Sequence, residues 1–144
     1  MTVVTILGAG GKMGNRITKP LLETKKYQLR FVEKSEAGQA RIREAGLEVM
    51  DLDDALKGTD VVIFTTPDAL VRQISDEVVP KLDPGTKILF LDPAAIAASR
   101  VKKREDISCF VCHPTHPPVF SLLSETDPAA RRDYWGGGLA TQAL

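Results

Sequence analysis

Seven consecutive residues near the amino terminus, Gly8-Ala9-Gly10-Gly11-Lys12-Met13-Gly14, carry the clearest chemical signal in the chain. They follow a short apolar run and precede an amphipathic one, so the glycines stand where a strand gives way to a helix. Gly8 can make the tight turn. Gly10 and Gly11 carry no side chain to hold a diphosphate off the backbone. The first amides of the helix then face the phosphates, with the helix dipole favouring negative charge. The strict G-x-G-x-x-G spacing is not met, because Met13 holds the sixth position; Gly8, Gly11 and Gly14 satisfy G-x-x-G-x-x-G, with Gly10 in addition. Gly14 lets the helix pack close to the sheet. Together with Ala9, Lys12 and Met13, these glycines form the expected cofactor loop; the alternative is a plain glycine-rich turn.

Glu33 stands at the end of the next strand, where an acidic side chain accepts from the adenine-ribose hydroxyls. A carboxylate there repels a 2′-phosphate, so NAD is expected over NADP. Lys34 and Ser35 follow at once and could instead hold that phosphate, which keeps NADP possible. A solvated charge at the strand end is the structural alternative for Glu33.

The remaining candidates fall at the carboxyl ends of later strands, where ligands lie in open α/β sheets. Thr65, Thr66 and Pro67 are expected beside the cofactor, with Asp92 near its nicotinamide end. Hydride transfer from an alcohol needs a base for the hydroxyl proton, and histidine titrates near neutrality. His113 and His116 are the only histidines and are the candidate catalytic groups. The plainer readings are that His113 caps a strand end and that Asp92, before Pro93, is a helix N-cap. Cys109-Phe110-Val111-Cys112-His113 matches the haem-attachment string, but no export signal accompanies it. Residues three apart on a strand point to opposite faces, which also argues against zinc. No metal is expected, and the cysteines are read as small apolar packing residues.

These residues must be positioned by alternating strands and helices. Strands are expected at Thr2–Leu7, Gln28–Glu33, Leu47–Met50, Asp60–Thr65, Thr86–Leu91 and Ile107–Cys112. Helices are expected from Gly11 to about Lys25, kinked or shortened by Pro20, over Glu36–Ala45 and Asp51–Lys57, from Asp68 to Pro80, and from Ala94 to about Lys103. The result is an α/β, doubly wound, mostly parallel Rossmann sheet. Residues 1–118 make the dinucleotide-binding domain. Residues 119–144, with a short helix expected from Asp127-Pro128 to Trp135, make a C-terminal extension that reads as the start of a truncated helical domain.

Of the 144 residues, 43% are hydrophobic and 26% charged, as in an ordinary globular domain. Lysines and arginines number 19, as do aspartates and glutamates, so neither nucleic acid nor an anionic membrane is an expected partner. No stretch reads as a signal sequence or a membrane span, and two cysteines make no disulfide framework, so a cytoplasmic location is expected.

The Gly8–Gly14 loop resembles those of 6-phosphogluconate, prephenate and related β-hydroxyacid dehydrogenases. Val61-Val62-Ile63-Phe64-Thr65-Thr66-Pro67 resembles the segment that passes beside the nicotinamide ribose in those enzymes. Leu91-Asp92-Pro93-Ala94-Ala95, Cys112-His113-Pro114-Thr115-His116-Pro117-Pro118 and the tail from Glu125 to Gly137 look like the phosphogluconate-dehydrogenase-like group that includes D-apionate oxidoisomerase. The resemblance implies an NAD(P)-dependent oxidoreductase moving hydride between nicotinamide and a small hydroxy acid or sugar acid. It also implies a helical C-terminal domain, which this chain lacks, and a homodimer is the expected assembly. Two alternatives stand beside it: a non-catalytic NAD(H)-binding or redox-sensing module, and a dihydrodipicolinate reductase-like reductase, whose loop is similar.

Overall fold

β-branched and apolar residues fill the short runs, and the longer amphipathic runs between them close as helices. The computed structural model describes residues 1–113. Strand β1, Thr2–Leu7, leads into helix α1, Lys12–Thr24. Strand β2, Tyr27–Val32, is followed by α2, Glu36–Glu44, and the short α3, Leu52–Leu56. Then come β3, Val61–Phe64, and α4, Asp68–Val78, extended by a 3-10 turn at Val79–Lys81. Strand β4, Lys87–Phe90, α5, Ala94–Ala97, and β5, Ser108–Val111, complete the described chain.

The five strands form one parallel sheet in the order β2-β1-β3-β4-β5. Parallel neighbours cannot be joined by hairpins, so a helix must cross between them. Alternation along each strand sends side chains to both faces, and both faces are covered. Val4, Ile6, Phe31 and Ile63 pack with Met13, Ile17 and Leu21 of α1 and Ile42 of α2. Leu7, Val32, Val62, Phe64, Ile88 and Phe90 pack with residues of α3, α4 and α5. The chain runs outward from β1 to β2, then returns across β1 to add β3. That reversal opens a crevice beyond the carboxyl ends of β1 and β3, where a doubly wound sheet receives its ligand.

Four details differ from the expectations. Leu47–Met50 makes no strand: it contributes one bridge, Val49 to Phe31, with the Met50 amide on the Phe31 carbonyl at 2.8 Å. Only that bridge marks the outermost position, because Gly46 and Asp51 leave no length for a ladder. Pro20 does not shorten α1, which continues to Thr24 and ends with Lys25 in the left-handed region (φ 52°). The helix expected from Ala94 to Lys103 stops at Ala97, because Ser99 also turns left-handed (φ 52°) and the Arg100 amide bonds back to the Ala95 carbonyl at 2.8 Å. Beyond it Val101 dips into the core, and the Lys102 amide donates to the buried Ser75 hydroxyl at 2.7 Å. Finally, Cys109 and Cys112 are exposed free thiols rather than packing residues, because β5 is the outer strand and exposed along its length. The helix expected at Asp127 lies outside the described residues.

Ser75 therefore ties an irregular return segment to α4. Ser75→Ala is expected to destabilise the fold by about 1–2 kcal/mol, because the Lys102 amide loses its acceptor. Urea unfolding measures the loss, and hydrogen exchange at the Lys102 amide should accelerate with it.

Candidate functional site

The glycine loop is built by contacts on three sides. Gly8 adopts φ +78°, which favours glycine, and a Cβ there would lie 3.0 Å from the Thr66 methyl. The Gly8 and Ala9 amides both donate to the Val32 carbonyl, at 2.9 and 3.2 Å, stitching the loop to the end of β2. The Gly11 amide donates to the Gly8 carbonyl at 3.0 Å and closes the turn. Gly11 is then the N-cap of α1 and supplies no side-chain cap, and the first turn holds no acidic residue. The opening amides of α1 are thus left to an outside acceptor, the arrangement that suits a phosphate.

Gly10 and Gly14 are bare for a different reason. A Cβ on Gly10 would meet the Gly38 carbonyl oxygen at 2.3 Å, and one on Gly14 would meet the Ala9 carbonyl oxygen at 2.4 Å. Of the two glycines expected to admit a diphosphate, only Gly11 is clear of a backbone clash: a Cβ there would meet the Gly8 carbonyl oxygen alone, at a tight 3.2 Å. Gly10 instead lets α2 come into backbone contact with the loop.

Glu33 lies just past β2, and its carboxylate is held by three donors. Oε2 accepts from the Gly10 amide at 3.1 Å, and Oε1 accepts from the Ser35 amide and hydroxyl, both at 2.9 Å. Ser35 also caps α2, its Oγ accepting from the Gly38 amide at 3.1 Å. Arg41, one helical turn on, donates from Nε to the Gly10 carbonyl at 2.8 Å. Loop, strand end and second helix are therefore one hydrogen-bonded unit.

A cavity of about 330 Å³ opens beside it. Gly8 and Gly11 form its floor with Leu7 and Val32; Leu52, Leu70 and Ile74 supply an apolar wall. Glu33, Lys34, Ser35, Arg41 and Glu77 form a polar rim, and Thr65, Thr66 and Pro67 close the remaining side. The Lys34 ammonium pairs with the Glu77 carboxylate at 3.2 Å across this rim. An apolar slot beside bare amides and a polar rim suits a flat base, a ribose and a diphosphate. The Thr66 hydroxyl adds to the fit, being buried with no hydrogen-bond partner among the described residues. Thr65 differs from expectation: its hydroxyl donates to the loop carbonyls of Leu7 and Gly8, at 2.7 and 3.0 Å, and so braces the loop.

Ala9 and Met13 turn instead to the core, and neither they nor Lys12, Gly10, Gly14, Asp92 and His113 line the cavity. Asp92 caps α5, with Oδ1 accepting from the Ala94 amide at 2.7 Å. His113 has Nδ1 at 2.7 Å from the Leu91 carbonyl oxygen and 3.9 Å from Asp92 Oδ2. A carbonyl only accepts, so Nδ1 carries a proton, and in the neutral ring the lone pair is on Nε2. His113 and Asp92 follow β5 and β4, at the same edge of the sheet as the glycine loop. His116 lies outside the described residues.

Seven site residues escaped the sequence reading as such: Ser35 in its capping role, Gly38, Arg41, Leu52, Leu70, Ile74 and Glu77. Gly38 left one signal, a glycine in the first turn of a helix, where it is a poor helix former. Leu70, Ile74 and Glu77 share one helical face, but nothing local marks that face as a cavity wall. Partial desolvation of the exposed Cys109 thiol outweighs the nearby Lys103 charge and raises it above its ordinary range, which works against a thiolate metal ligand. No cluster among the described residues could hold a metal ion, and no helix among them is long and apolar enough to cross a membrane.

Comparison with known proteins agrees with this geometry. The chain is 45% identical over 142 residues to a D-apionate oxidoisomerase of Cupriavidus necator, covering 98% of this chain and 50% of that protein. It is 43% identical over 145 residues to a protein of the same name from Rhizobium rhizogenes, covering 100% and 52%. The chain thus spans about half the length of the curated relatives it matches. A solved semialdehyde dehydrogenase NAD-binding protein of Cupriavidus necator, in complex with calcium and NAD, superposes with a TM-score of 0.82 at 45% identity, covering 99% of this chain and 51% of that one. An NADH-preferring ketol-acid reductoisomerase from an uncultured archaeon shares the fold, with a TM-score of 0.72 at 21% identity over 92% of this chain and 39% of that one. The family model of the acetohydroxy acid isomeroreductase NADPH-binding domain matches residues 2–121, and the chain, a Rossmann domain for NAD(P), belongs to that family.

Proposed function

We propose that this chain is the cofactor half of an NAD(P)-dependent oxidoisomerase that acts on a small sugar acid, with D-apionate as the first candidate substrate. The uncapped start of α1 beside an apolar cavity carries the reading, because it offers amide donors and positive dipole where a diphosphate needs them. The names of the relatives supply the substrate class. When bound, the nicotinamide would supply the hydride acceptor for oxidation of a carbinol carbon. Gly8, Gly11 and the first turn of α1 would hold the diphosphate, Glu33 would present its carboxylate to the adenine ribose, and Thr66 and Pro67 would flank the path toward the nicotinamide. A carboxylate at Glu33 favours NAD over NADP.

His113 is the candidate base. With Nδ1 donating to the Leu91 carbonyl, Nε2 is left to take the hydroxyl proton, and the Asp92 carboxylate stands close enough to stabilise the resulting imidazolium. His116 is the second candidate. Exposed Phe110 and Val111 on the outer strand support a homodimer, and the two free thiols support a reducing, cytoplasmic setting.

The test is a fluorescence titration with NADH. Saturable binding is expected, and Gly11→Asp should weaken it more than about tenfold, because a carboxylate then occupies the phosphate position. The same substitution adds an N-cap side chain at a residue with extended backbone, a gain offset by the tight 3.2 Å approach of the new Cβ to the Gly8 carbonyl oxygen, so the melting temperature should change by no more than about 5 °C. No NADH binding by the unaltered chain would sink the reading. In turnover of D-apionate with NAD, His113→Asn should lower kcat by about 10²–10⁴-fold while leaving NADH affinity unchanged. Tight NADH binding with no turnover, in a preparation proved to be full length, would point instead to a nucleotide-binding module.

A further inference from the structure

We infer that Glu77 controls which dinucleotide this site prefers, by neutralising Lys34 at the place where a 2′-phosphate would sit. The inference rests on the NAD(P)-binding reading above and concerns a residue outside the glycine loop and the strand end. NADP differs from NAD only by a phosphate on the adenine ribose, which adds about 1.5 to 2 negative charges near neutrality. The response of the site to that charge depends on which cations at the rim are free to meet it.

Two cations line the cavity, Lys34 and Arg41, against two carboxylates, Glu33 and Glu77. Arg41 is committed through Nε to the Gly10 carbonyl at 2.8 Å. Glu33 is committed to the Gly10 amide and to Ser35. Lys34 follows Glu33 directly, but its ammonium is 3.2 Å from Glu77 Oε2, on α4 and 43 positions along the chain. The rim is therefore balanced in charge. A neutral ribose is indifferent to that balance, whereas a 2′-phosphate meets the Glu33 charge while the charge of Lys34, the cation next to it, is neutralised by Glu77. Glu77 is well placed to hold this state. It shares with Leu70 and Ile74 the face of α4 that walls the cavity, so the helix that shapes the apolar slot also fixes the carboxylate. The pair is exposed, with the Lys34 side chain 72% and the Glu77 side chain 37% accessible, so a stronger anion can compete for the lysine once the glutamate charge is gone.

The test compares NADH and NADPH dissociation constants by fluorescence titration in four chains: unaltered, Glu77→Gln, Lys34→Gln and the double variant. Glu77→Gln keeps the shape and removes the charge, so NADPH should bind about three- to fivefold more tightly, with NADH changed less than about twofold. The gain should fade as salt is raised. Lys34→Gln alone should weaken NADPH binding relative to NADH by about the same factor, because it leaves the Glu77 charge unpaired beside the 2′-phosphate position. In the double variant, whose rim carries the same net charge as that of the unaltered chain, the gain should vanish. An unchanged ratio in Glu77→Gln, with NADH binding intact, overturns this inference and leaves the proposed function standing. A gain that survives in the double variant overturns the part played by Lys34. Should the unaltered chain bind neither nucleotide, the inference and the proposed function fall together.

Discussion

Two stretches of backbone meet with no side chain between them, and the site depends on that meeting. Gly10 in the first loop lies against Gly38 in the first turn of α2, so close that a single methyl group on Gly10 would fall 2.3 Å from a carbonyl oxygen. Glu33 and Arg41 lock the contact from either side, one accepting the Gly10 amide and the other donating to the Gly10 carbonyl. Because both polar groups of Gly10 are satisfied within the protein, the protein's own hydrogen bonds hold the loop in this conformation. Such preorganisation lowers the ordering cost of binding. It also explains why the same carboxylate can orient the loop and present itself toward a ribose.

The parallel sheet supplies the frame for this unit. A strand order that places β1 between β2 and β3 makes consecutive crossovers diverge, and the gap between them is where the cavity forms. Thr65 converts the neighbouring strand end into a brace, since its buried hydroxyl holds the Leu7 and Gly8 carbonyls. On the other side of the gap, α4 lends an apolar face to the slot and a carboxylate to its rim. Strand, loop and helix therefore share one task, which is to keep an uncapped helix start next to a dry, flat slot.

A second centre lies farther along the same edge. Asp92 caps the short α5 while standing near His113, whose ring is oriented by the Leu91 carbonyl. Capping and chemistry were competing readings of Asp92 from the sequence, and the geometry makes them compatible: one carboxylate oxygen serves the helix and the other faces the imidazole. The cavity and this centre occupy the carboxyl ends of neighbouring strands, the arrangement that the proposed hydride transfer would need.

Local order was legible from residue types alone. Strand and helix alternation follows from apolar periodicity, and a phosphate-binding turn follows from glycines between a strand and a helix, because each depends on residues a few positions apart. Errors arose where a local pattern lacked tertiary support: Leu47–Met50 has strand-like residues but room for one bridge, and the segment after Ala97 has helix formers but is pulled to Ser75 and the core. Glu33 was recognisable, but its three donors were not. Neither was Gly38 as the partner of Gly10, nor Glu77 as the partner of Lys34. Those pairings join residues tens of positions apart, and only the packing of α2 and α4 against the sheet decides which side chains share a rim and which charges are left to greet a ligand.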